Sequence, residues 1–229
     1  MKRIENPEFD SLMARWKALG VVLECVPFAL EGADGHCRGV HRAAALATLE
    51  SVKETYDAYW DRVAVLPQFS CKTREVLPRM EINSEELGGG ELIKKDEFLG
   101  CGCDLVGRRL LVRGRAPHHR GDMFWSGDTE SPENRVLLPE GWQWHGTLSH
   151  AYLDPPYPLS GTAVEQSDAF FEWLDMLFDG LRGDCAIFRW SDSSSSYFEE
   201  GRDWWGTYFW TAHATDTDRI IGLVASTSD

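Results

Sequence analysis

Between residues 38 and 63, Leu46, Leu49, Lys53, Tyr56, Trp60 and Val63 recur at spacings of three and four behind an alanine-rich start, until Pro67 ends the run. That period puts the set on one face of a long helix, and the face needs a second surface to cover it. A shorter helix is expected over Pro7–Leu19, where Phe9, Leu12, Met13 and Trp16 keep the same spacing and Gly20 follows. Beyond residue 67 the pattern changes to short apolar runs separated by turn residues such as Pro78 and Gly88-Gly89-Gly90. Residues 21–28 form a short apolar run, and those at 98–106, 109–115, 142–153, 185–190, 205–213 and 219–226 read as strands, with a hairpin about Gly107 and another across 214–218. One more helix is expected after Ser167 as its cap, with Phe170, Phe171, Leu174, Leu177 and Phe178 inward and Gly180 as its stop.

Helices that come before strands, instead of alternating with them, predict an α+β fold. The N-terminal helices would pack with a mainly antiparallel central and C-terminal sheet and one further helix. A single domain over 1–229 is expected, and any subdivision would fall in the polar stretch 121–139. The apolar fraction of 43% is that of a chain with a packed core. No leader-like apolar run opens the chain and none approaches the length of a membrane helix, so the expected compartment is the cytoplasm. There the six cysteines would be reduced thiols.

The formal charge of −14 is unevenly spread: residues 1–65 sum to −2, 66–120 to +2 and 121–229 to −14. Eight of the ten tryptophans fall in that last, acidic part. Its field repels nucleic acid and anionic membrane and draws in cationic partners. Two segments concentrate the combination. On the helix near Trp173, Glu172, Asp175 and Asp179 meet no lysine or arginine nearby in sequence, and Asp179 lies at the unfavourable end of the helix dipole. An arginine from the cluster Arg108, Arg109, Arg113, Arg115 and Arg120 would neutralise them; otherwise they form a contact surface. The second segment is the serine-rich loop with Tyr197, Glu199, Glu200, Asp203, Trp204 and Trp205, a composition suited to a basic protein partner. Its tryptophans would otherwise plug the end of the sheet.

Three further motifs carry chemical alternatives. Asp154-Pro155-Pro156-Tyr157 resembles the catalytic tetrapeptide of amino-group DNA methyltransferases. That resemblance implies an acidic side chain and backbone carbonyl holding an amino group, a ring stacked on a flipped base, and S-adenosylmethionine at a glycine loop such as 98–103. No helices are expected between Cys103 and Asp154 to build a doubly wound sheet, and the favoured reading is a rigid turn leaving a strand. Cys101 and Cys103 with His118 and His119 are the right residue types for zinc, although two cysteines flanking a glycine also fit one face of a strand. His36, Cys37 and His41 would make a nucleophile and base at a helix start, or an inert set.

The closing residues Trp204-Trp205-Gly206, Phe209-Trp210-Thr211 and Ala225-Ser226-Thr227-Ser228-Asp229 resemble the tail of immunity-type proteins of bacterial toxin systems. The resemblance runs from Tyr152 onward and implies a stoichiometric inhibitor of a cognate protein toxin, a basic nuclease for example, with no cofactor and no catalytic residue of its own. A small enzyme built on the Asp154 turn or on the cysteine and histidine residues is the alternative.

Overall fold

In the computed structural model, residues 1–66, 77–114, 121–129, 131–138, 140 and 145–226 are described. Five α-helices are present among them: α1 (Pro7–Leu19), α2 (Arg38–Ala64), α3 (Lys95–Leu99), α4 (Leu148–Leu153) and α5 (Ala163–Phe178). A six-stranded sheet has the order β1 (Lys2–Arg3), β2 (Glu24–Ala29), β10 (Arg219–Ala225), β9 (Tyr208–Ala214), β8 (Cys185–Arg189) and β3 (Glu91–Ile93). A second, four-stranded sheet runs β4 (Cys103–Asp104), β5 (Arg109–Arg113), β6 (Met123–Trp125) and β7 (Arg135–Val136). Every strand pair in both sheets is antiparallel, and the fold class is α+β.

The large sheet is covered on both faces, which explains why β9 and β10 are apolar almost throughout. Phe188, Phe209 and Val224 pack under Leu49 and Val52 of α2, while Ile187, Trp210, Ala212 and Leu223 face the core formed by α1 and α5. Successive residues of one strand thus serve two different cores. Helix α2 comes close because its contact face is small: a Cβ added to Gly222 of β10 would lie 1.7 Å from the Thr48 hydroxyl. On the other side Trp16 and Trp173, both fully buried, meet at a centroid distance of 4.9 Å and tie α1 to α5.

Several local expectations change in three dimensions. The strand expected over 142–153 ends instead in α4, because Thr147 caps it and Leu148, Ala151 and Tyr152 all reach the core at helical spacing. The strand expected over 98–106 shrinks to β4, since Phe98 and Leu99 belong to α3; the hairpin about Gly107 does form. Helix α5 starts before Ser167: Thr162 and Glu165 make a reciprocal capping box, and Ser167 is buried inside the helix. At its other end the helix stops at Asp179, one residue before Gly180. The buried face of α2 runs to Val52 and returns only at Ala64, and Tyr56, Trp60 and Val63 between them are half-buried. Cys25, Cys37, Cys101, Cys103 and Cys185 are free thiols; Cys71 lies outside the described residues.

Candidate functional site

The carboxylates of α5 that lack a cation nearby in sequence find one in space. Glu172 accepts a hydrogen bond from Arg15 of α1. Asp175 receives both arms of the Arg108 guanidinium at 3.0 and 2.9 Å, and the same guanidinium lies over the Phe171 ring at 5.1 Å. Sequence gives no local signal for either partner, since Arg108 sits 67 residues away. All four side chains of these pairs are about half exposed, so each pair stabilises by roughly 1 kcal/mol or less. Asp179 is different: exposed and past the helix end, it has left-handed backbone with φ 49°. The expected acidic face is therefore a paired one at Glu172 and Asp175.

The loop from Asp192 to Gly206 is built as three short 3-10 turns around buried Phe198. Asp192 staples its two ends, accepting from Arg202 at 3.1 Å and from the Thr207 hydroxyl at 2.7 Å. Burial pushes the Asp192 pKa up, but those hydrogen bonds outweigh it and hold the carboxyl below its ordinary range. The two adjacent tryptophans separate. Trp205 turns inward, packs on Tyr208 at 4.9 Å and donates its indole N–H to the Asp154 carbonyl at 2.5 Å. Trp204 turns outward and is 48% exposed. Tyr197 is half-buried against Phe198, whereas Glu199, Glu200 and Asp203 are exposed and make no ion pair among the described residues.

That Trp205 bond joins the loop to the Asp154-Pro155-Pro156-Tyr157 turn, which leaves helix α4 and not a strand. The Asp154 carboxylate takes Arg113 at 2.9 Å and stands 3.7 Å from the imidazole of His150. His150 is buried and its Nδ1 is hydrogen-bonded with the Tyr208 hydroxyl. Burial, reinforced by nearby His145, pushes its pKa down to about 4. A cleft of about 370 Å³ opens beside the turn, lined by Leu111, Arg113, Met123, Asp154, Pro155 and Gln166. Both groups of Asp154 that a methyltransferase would turn to its substrate are thus engaged within the protein, and the antiparallel sheet has no doubly wound crossover.

The remaining motifs separate as well. Cys101 is exposed in a turn, while Cys103 is half-buried, and burial with the neighbouring Asp104 pushes its thiol up to about 12. His118 and His119 lie outside the described residues, and among those described no three His, Cys, Asp or Glu side chains group to hold a metal. The buried His41 ring is bonded to Gly35 and Thr211 and the His36 ring to Thr215, and among the described residues neither imidazole is hydrogen-bonded to the thiol of exposed Cys37. No described helix is long and apolar enough to cross a membrane. Among known proteins, no family model, curated protein or solved structure matches this chain, and its own side chains carry the functional reading.

Proposed function

We propose that this chain is a binding protein that docks a cationic protein partner on the loop bearing Glu199, Glu200, Asp203 and Trp204. The observation that carries the reading is an outward tryptophan, 48% exposed, beside three exposed carboxylates that pair with no cation among the described residues. A large amphipathic ring ringed by acids supplies a desolvated anchor and a steering field together. Its inward neighbour Trp205 and the Asp192 staple hold the backbone beneath it, so little ordering is left for the moment of binding. Tyr157, on the turn that Trp205 grips, is a second exposed aromatic ring at 60%. Glu172 and Asp175 are already matched by Arg15 and Arg108, and Asp179 ends a helix; their part is secondary. The acidic second half and the resemblance of its closing residues favour an immunity protein that neutralises a cognate, basic toxin in the cytoplasm by stoichiometric binding.

With a partner captured from the native cell and purified, the two kinds of side chain give separable kinetics. Trp204→Ala should hasten dissociation by about 30-fold, the equivalent of about 2 kcal/mol, with the circular dichroism unchanged. Reversing Glu199, Glu200 and Asp203 to lysine should slow association and flatten its dependence on salt. Association that is indifferent to that reversal at low ionic strength would leave the loop as solvated surface and remove this reading.

A further inference from the structure

The segment between β2 and α2 is fastened to the sheet by histidines. His41, fully buried on α2, has Nε2 at 2.8 Å from the Gly35 carbonyl, so that nitrogen carries the proton and donates. Its Nδ1 lies 2.7 Å from the Thr211 hydroxyl, which itself accepts from the Trp190 indole at 2.9 Å. The chain of donors is complete only for a neutral imidazole with Nδ1 accepting. A proton on Nδ1 would leave the Thr211 hydrogen without its acceptor. His213 of β9 forms the other half of the fastening. Its Nδ1 donates to the Arg219 carbonyl at 2.9 Å, and its ring lies so close under Gly35 that a Cβ there would sit 2.3 Å away. His36 adds a bond to Thr215 at 3.1 Å and meets the His213 ring edge-on at 5.4 Å.

We propose that the 31–37 loop is a latch, held shut by His41 and His213 and released by acidification before the rest of the fold gives way. The surroundings of His41 favour release once it gains a proton. The loop sets His36 against it and carries Asp34 and Cys37 nearby in sequence; its own helix carries Arg38, whose guanidinium lies over the Phe188 ring that also packs on His41; and β9 sets His213 against it. Asp34 is exposed and spends one oxygen on the His36 amide at 2.9 Å. Asp218 lines the cleft beside the loop but stands 3.6 Å from Arg219, and Asp216 points toward Gly183. Among the described residues no carboxylate is bonded to His41 to receive a charge there. Burial accordingly pushes its pKa down to about 4, and His213 and His36 act in the same direction. Opening relieves all of this by letting water reach the ring, and it uncovers His213 and the first turn of α2.

Nuclear magnetic resonance on the intact chain tests the latch directly. At pH 7 the His41 side-chain nitrogens should report a neutral ring with the proton on Nε2. Below about pH 5 that ring should titrate, and in the same step the Gly35 and His36 amides should lose their dispersed shifts while those of Phe170 and Leu174 keep theirs. His41→Gln, which keeps a donor for Gly35 but cannot titrate, should abolish that step. The proposal is overturned by a His41 that titrates with the loop signals unmoved, by loop and core signals lost together, or by a loop step that survives in the glutamine variant. The wild-type titration decides the matter even if the variant does not fold.

Discussion

Asp179, Gly180 and Leu181 follow α5 at φ 49°, 68° and 53°, three left-handed residues in a row. For a leucine that conformation costs roughly 1–2 kcal/mol. Burying its side chain recovers about 2 kcal/mol or more, and Leu181 is fully buried with its carbonyl held by Lys95 at 3.0 Å. Burial therefore wins at Leu181. Asp179 has no such compensation: it is exposed, and its carboxylate adds to the negative end of the helix dipole. Asp179→Gly should raise the unfolding free energy by about 1 kcal/mol, read as a higher urea midpoint at unchanged slope. A lower midpoint would mean that the aspartate holds the turn through a bond of its own. The arginines show a related limit of local reading. Arg108 is one of a run of basic residues in sequence, and only the folded chain singles it out as the partner of Asp175.

Helix α2 and strand β10 touch at a glycine of the strand, Thr48 against Gly222. Gly222→Ala would force the two apart and should cost about 3 kcal/mol by overpacking. Thr48→Ala removes the hydroxyl but leaves a Cβ that would be 2.8 Å away, so it should recover about 1 kcal/mol of that loss and not all of it. Costs that simply add in the double variant would place the strain elsewhere. Element ends were partly legible in advance. Pro7 and Gly20 frame α1 as their chemistry requires, and the fold adds Asn6 as its cap. Thr162 and Glu165 likewise outcompete Ser167, because a reciprocal pair satisfies two backbone donors where a lone serine satisfies one. The apolar alternation before Asp154 fits a strand as well as a helix, and only packing against Trp16 and Phe170 settles it as α4.

Two imidazoles, His41 and His150, are buried in their neutral form, and this links the stability of the whole molecule to pH. Both have folded values near 4, below the ordinary 6.5, so the unfolded chain binds more protons between those limits. Their contribution is complete above pH 6.5 and is lost as pH falls toward 4. Between pH 7 and 5.5, before most carboxylates titrate, the unfolding free energy should drop by about 1 kcal/mol for each ring. A flat urea midpoint across that window would mean that neither ring is held neutral. By itself the sequence determined the α+β class, the two long helices, the closing hairpin and the acidic, tryptophan-rich character of the second half. These follow from period, turn chemistry and composition, which are local or summed quantities. Tertiary structure alone decided that Glu172 and Asp175 are paired, that Trp205 faces in while Trp204 faces out, and that His41, His213 and Gly35 meet. Each of those depends on which distant segment occupies the neighbouring space, and a side chain's exposure and charge partners are fixed only when that segment arrives.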